Sequence, residues 1–366
     1  MRKKTTDHSC RADSCRADTR GSALTPEALH RKHKCTLWIL TAVLILFILL
    51  SFTLGRYKVP LKELVGILIN SIFGGIEPYW TDSMQTAVLN IRMPRILLSV
   101  LVGGALSGAG AAYQGVFQNP MAAPDILGAS AGAGFGAALA ILFGLSSLYI
   151  TMSAFALSMI SVALVFWISR HVKGQRVMGL ILSGIMIGSV FQAGTSFIKL
   201  AADPNNKLPQ ITYWLMGSLS GAEWSDVLFS FPPILLALIP LLLLSWRINI
   251  LAMGDDEANA LGVDAHKVRR AVLVCSTLLT ASAVSVSGMI GWVGLVIPHM
   301  MRRLVGSEYR YLMPASILGG ACFLLAVDNT SRCISSAGIP IGILTAFIGA
   351  PFFLWLITGR RENYEY

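Results

Sequence analysis

Side chains able to do chemistry are sparse in this chain of 366 residues, and their spacing excludes most reactions. The six cysteines are Cys10, Cys15, Cys35, Cys275, Cys322 and Cys333. No pair forms CxxC and none stands at zinc-ligand distance in sequence from a histidine, so they read as free thiols and no metal site is expected. His299 follows Pro298 and precedes Arg302, a setting that suits packing or capping better than metal ligation. No GxxxxGK[ST] loop is present, so the chain does not bind ATP by that device. There is no HExxH and no pair of acids within an apolar run, which argues against a membrane-embedded enzyme. Between Arg95 and Arg170 the only Asp, Glu, Lys, Arg or His is Asp125, and between Arg270 and Arg302 it is His299. Ion-coupled carriers place ionisable groups at mid-membrane, so a self-sufficient secondary transporter is the weaker alternative. No cofactor is expected, and if such a chain moves a solute the energy must come from a partner.

The elements that position these residues follow from composition. Apolar residues make up 54% and charged residues 13%, against about 25% charged in soluble domains. A crossing helix needs about 20 apolar residues. Ten candidate spans result: 37–54, 96–117, 126–144, 148–169, 178–198, 227–246, 271–291, 294–304, 312–331 and 341–358. The eighth is short and interrupted by Pro298; the sixth carries Pro232, Pro233 and Pro240. The expected fold is therefore all-α, a polytopic membrane helical bundle spanning 37–360, with a C-terminal tail at 361–366.

Residues 1–36 hold nine of the 29 Lys/Arg and a tandem Ser-Cys-Arg-Ala-Asp pentapeptide at 9–18. Their low apolar content predicts a disordered basic tail. It touches anionic lipid rather than nucleic acid, since no aromatic platform accompanies the charge. With this tail inside, the inside segments carry 21 Lys/Arg against eight outside. The positive-inside rule then sets both termini in the cytoplasm.

A shift of 178 residues superposes Arg92 on Arg270, Gly110 on Gly288, Pro120 on Pro298 and Gly128 on Gly306. The copies begin five spans apart, an odd number, which predicts an inverted repeat of the kind transporters use for alternating access. Gly104–Gly108, Gly128–Gly132–Gly136, Gly184–Gly188 and Gly338–Gly342 have GxxxG spacing and predict close helix packing within the bundle.

Several longer motifs are more specific. They are Arg92-Met93-Pro94-Arg95, the run Asn119-Pro120-Met121-Ala122-Ala123-Pro124-Asp125-Ile126-Leu127-Gly128, and Trp214-Leu215-Met216-Gly217-Ser218-Leu219. They continue with Glu257-Ala258 ahead of Ala260-Leu261-Gly262, the run Gly288 to Arg302 containing Pro298-His299, and Ile339-Pro340-Ile341-Gly342 with Gly349-Ala350-Pro351-Phe352-Phe353. Together these resemble the permease subunit of ABC importers for iron–siderophore complexes, haem and vitamin B12, over residues 37–360. Trp292 stands where that family usually has Phe, and Gly338 where an acid commonly precedes the last Pro-x-Gly.

The resemblance implies a non-catalytic inner-membrane subunit moving an iron complex, with cobalamin as the alternative cargo. It implies a second permease subunit, expected as a copy of this one, two ATP-binding cassette ATPase subunits and an external solute-binding protein. Arg92, Arg95 and Arg332 would receive acids of the binding protein, a task that suits the fixed guanidinium fork. Glu257, Ala258, Ala260, Leu261 and Gly262 would form the helix that couples to the ATPase. Met186, Ser189, Gln192, Ser196, Thr345 and Phe347 would line the path. Asn119, Pro120, Pro124, Gly128, Gly288, Pro298, His299 and Arg302 would serve as structural motif positions.

Overall fold

The computed structural model describes residues 26–55, 57–74, 79–172, 176–334 and 338–358. The pentapeptide repeat with Cys10 and Cys15, Arg56, Arg360 and the tail 361–366 lie outside these.

A helix stands at each predicted span: α1 (Pro26–Thr53), α2 (Met93–Val116), α3 (Ala129–Leu142), α4 (Ser147–Ser169), α5 (Arg176–Ala201), α6 (Trp224–Leu243), α7 (Ala265–Ser287), α8 (Val293–Val305), α9 (Tyr309–Ile334) and α10 (Ile341–Thr358). No strand occurs among the described residues. Seven of the ten are long and apolar enough to cross a membrane; α3, α8 and α10 are shorter. The predicted disordered tail is corrected at its end. Helix α1 begins at Pro26, because proline suits a first helical turn and Glu27 complements the helix dipole there.

Helix α2 is entered through an α-turn at Asp82–Thr86 and a π-wound stretch at Ala87–Arg92. It is the axis of the bundle: its apolar window is 83% buried, against 11% for α1. Helices α7 and α9 pack against it. Backbone approach makes this possible. A Cβ on Gly110 would lie 1.8 Å from the Gly294 carbonyl oxygen, so α2 and α8 meet with no side chain between them. The predicted GxxxG notches also pack within the chain. Gly132 and Gly136 of α3 face the α4 backbone, Gly184 faces the Ile126 carbonyl, and Gly104 and Gly108 receive Ile317.

The repeat marks coincide only in part. Gly128 and Gly306 both have positive φ (73° and 75°) shortly before a helix begins, though their ψ values differ (12° and −170°). Pro120 lies in a turn, whereas Pro298 is inside α8.

Candidate functional site

Helix α2 is also a ruler. Its 24 residues rise about 36 Å at 1.5 Å each, enough to join the two ends of the bundle. Arg92 marks one end; at the other, the Gln118 side-chain amide donates to the Leu251 carbonyl at 3.0 Å.

At the Arg92 end the three arginines come together, but not as free cations. Arg92 is 5% exposed and donates to the carbonyls of Phe52 and Tyr57, around the C-terminus of α1. A cation there complements both the orphan carbonyls and the helix dipole. Arg95 on α2 meets Asp328 Oδ1 at 2.8 Å, and Arg332 on α9 meets its Oδ2 at 3.1 Å. The Asp328 side chain is fully buried, and the two arginine side chains are 11% and 10% exposed. Arg332 also donates to Asn329, whose amide donates to Ser51 Oγ at 2.7 Å. The expectation of outward-facing forks is therefore corrected: all three guanidinium groups are engaged in tying α1, α2 and α9 together. Sequence reasoning missed Asp328. Its signal was present, an acid inside the otherwise apolar run 312–331.

At the opposite end a short helix, Asp255–Ala260, stands between α6 and α7. It ends in a Schellman arrangement: Val263 N–H bonds the Ala258 carbonyl at 2.9 Å and Gly262 N–H bonds that of Asn259 at 3.0 Å. Gly262 takes φ 76°, the left-handed value this motif needs. Arg269 of α7 grips Asp255 with both terminal nitrogens, at 2.9 and 2.5 Å. This fork is the bidentate kind, and it anchors the short helix to a membrane-crossing one. Leu261 is left 60% exposed, with Glu257, Ala260 and Gly262 also on the surface. Ala258 is fully buried, so it packs the short helix down and offers nothing outward.

The predicted path residues divide. Met186, Ser189, Gln192 and Ser196 are exposed on α5. Phe347 is 74% exposed and lines a cavity of about 620 Å³ with Met216, Met289, Gly342 and Ile343. None of the α5 residues lines that cavity. Thr345 is corrected: it is fully buried, its hydroxyl donating to the Gly342 carbonyl at 3.1 Å. Two residues apart on a helix point to nearly opposite sides, so Thr345 and Phe347 could not share a lining.

The motif residues have architectural contacts. Asn119 Oδ1 accepts the Met121 N–H at 2.9 Å, closing the turn around Pro120. Pro124 packs into the hollow at Gly294. Gly128 passes its carbonyl to Ser161 of α4 at 2.9 Å. Gly288 ends α7 at φ 68°, where a Cβ would lie 2.2 Å from the Trp214 carbonyl oxygen. Pro298 is buried and His299 half-buried on α8. Arg302 reaches Gln114 of α2 and the Tyr309 hydroxyl, each at 3.3 Å. Trp292 holds φ 71°, and its ring fills the space left by Gly349.

One nucleophile-like pattern was overlooked in the sequence: Gly128-Ala129-Ser130-Ala131-Gly132 reads GxSxG. Ser130 lies in the first turn of α3 and donates to Asp125, with no histidine in the contact. That is not a nucleophile elbow, which needs a strand-to-helix turn and a base.

Comparison with known proteins fits this geometry. The chain is 40% identical over 315 residues to the molybdate import system permease MolB of Haemophilus influenzae, covering 86% of this chain and 92% of that one. It is 38% identical over 322 residues to a protein of Helicobacter pylori named a probable iron chelatin transport system permease, covering 88% and 97%. A solved chain described as a metal-chelate type ABC transporter in an inward-facing conformation superposes with TM-score 0.79 at 39% identity. It covers 88% of this chain and 98% of that one. Residues 43–359 match the FecCD transport family, and the chain belongs to that family.

Proposed function

We propose that the chain is the membrane permease subunit of an ABC importer that moves an iron complex, a ferric siderophore or haem, into the cytoplasm. ATP hydrolysis in two separate cassette ATPase subunits drives it, and a second copy of the chain completes the path. An external solute-binding protein delivers cargo at the end marked by Arg92, whose arginine cluster fixes the shape of the docking face. Both termini lie in the cytoplasm of a cell whose inner membrane holds the chain.

The observation that carries this reading is the exposed Leu261 beyond a helix pinned to α7 by Arg269 and Asp255. An apolar knob on a rigidly held element is a surface built to be pushed. The stretches 96–169 and 271–301, where Asp125 and His299 are the only ionisable Asp, Glu, Lys, Arg or His, support the same reading, since they offer little to a coupling ion.

The test is Leu261→Arg in the assembled transporter. Uptake should fall at least tenfold and the ATPase should no longer copurify, while the chain unfolds at its usual temperature. Unchanged uptake would refute the coupling assignment, and gradient-driven accumulation by the chain alone would refute the passive-subunit reading. The iron chelatin relative favours ferric chelates. The molybdate relative makes an oxyanion the reading to exclude, so the uptake panel holds ferric siderophores, haem, cobalamin and molybdate.

A further inference from the structure

A second cavity, of about 740 Å³, opens where α4 ends and α7 begins. It lies at the Asp255 end of the bundle, because Arg269 forms part of its wall. Its floor is apolar, with Phe166, Leu180, Leu273 and Val274. Its rim is basic: Arg170, His266 and Arg270 line it, and no acidic residue does. Among the described residues neither Arg170 nor Arg270 has an ion-pair or side-chain hydrogen-bond partner, in contrast to the arginines at the other end.

The wall is cationic too. Arg269 is 5% exposed; its terminal nitrogens hold Asp255, but its Nε is buried and has no hydrogen-bond partner among the described residues. That atom is closed to the cavity as well as to water, so the wall adds positive charge beneath the rim and no free donor. Trp167, also lining the cavity, is 62% exposed and marks the depth at which aromatic rings meet the membrane–water boundary.

We infer that this cavity is a binding site for one anionic phospholipid, its phosphodiester held by Arg170, Arg270 and His266 and its acyl chain laid along Phe166 and Leu273. The chemistry selects the occupant. Three cationic or donor groups above an apolar trough, at the ends of crossing helices, match a headgroup with an attached chain; a free phosphate would leave the trough empty. A lipid there lies against the guanidinium that anchors the Asp255–Ala260 helix. The inference uses that helix only as a landmark and stands whether or not the helix couples to an ATPase.

The test counts lipid retained on the purified full-length chain by native mass spectrometry, titrating phosphatidylglycerol, cardiolipin and phosphatidylcholine separately. The anionic lipids should be retained and phosphatidylcholine lost. Arg170→Gln with Arg270→Gln should weaken retention about 25-fold, about fivefold for each cation removed. Equal retention by the double variant, or equal retention of phosphatidylcholine, overturns the assignment. Displacement of the lipid by inorganic phosphate overturns it too, since the site would then be one for a free anion. If the double variant does not fold, photoactivatable phosphatidylglycerol on the unaltered chain gives the answer. Cross-links in 163–172 and 266–274 support the site, and cross-links confined elsewhere overturn it. No ATPase, binding protein or cargo enters this assay, so its failure and the failure of the importer reading are separate events.

Discussion

The two ends of the bundle use arginine in opposite ways. At one end Arg92, Arg95 and Arg332 surround a single buried carboxylate, Asp328, and the carbonyls ending α1, and each guanidinium has a partner. At the other end Arg269 holds Asp255 with two nitrogens and leaves the helix beyond it on the surface. Both sets look alike as arginines flanking apolar runs. The first closes the bundle by linking helices far apart in sequence; the second presents a small element outward. The difference lies in the acid: Asp328 is buried within a crossing helix, whereas Asp255 opens a six-residue helix in a connection.

The sharpest way to break this comparison is to remove the carboxylate that closes the first end. Asp328→Ala strands two guanidinium groups that are about nine-tenths buried. Losing one partner of a buried ion pair costs about 3–5 kcal/mol, because the remaining charge is left uncompensated. Thermal unfolding of the purified chain should show a large loss across the whole bundle, since α1, α2 and α9 share the cluster. Asp255→Ala should cost less, because it strands one guanidinium instead of two and Asp255 is itself 40% exposed. If the two variants unfold alike, the two ends are equivalent and the contrast is wrong.

A smaller effect is expected from Gly262→Val. No atom lies within 4 Å of the Cβ position, so no clash is introduced. What remains is the backbone cost of φ 76° for a residue with a Cβ, about 1–2 kcal/mol. Amide exchange should quicken at Asn259–Val263 while α2 and α9 keep their protection. Exchange that quickens throughout the bundle would mean that the short helix is part of the core and not a presented element.

Much of this was legible in the sequence. The ten apolar runs each coincide with a helix, and seven of these have the length that bilayer thickness asks for. The short helix was legible too, as acids at its start and glycine at its end are local signals. Pairing was not legible. Arg95 and Asp328 are 233 residues apart, and no local pattern announces that contact. The arginines were read as outward because sequence places them near span ends, while depth depends on which helices surround them. Thr345 was misread by following residue type and ignoring helical phase. Helix α1 was begun too late because its first turns are polar, and polarity alone does not distinguish a tail from a helix that emerges from the membrane.

The mildest test returns to the start of α7, beside the anchor Arg269. Asp264 caps this helix, its Oδ1 accepting the N–H groups of His266 at 3.1 Å and Lys267 at 3.0 Å. The Lys267 backbone N–H, joined by the Lys267 side chain, holds the Asp264 carboxyl below its usual range. A carboxyl depressed by folding contributes stability that is complete above its unfolded value, near pH 4, and is lost as pH falls through the lower folded value. Protection of the first α7 amides should therefore be flat from neutral pH down to about pH 4 and fall several-fold below it. Asp264→Asn keeps an acceptor but cannot titrate, so its protection should stay flat across the whole range. The N-cap of α2 is Arg92 and no carboxylate caps that helix, so the amides of Met93–Leu98 should not respond in this window. A parallel fall at both ends would erase the contrast between a closed end and a presented one. A fall confined to His266–Arg269 would tie the anchoring of the short helix to a single surface carboxylate.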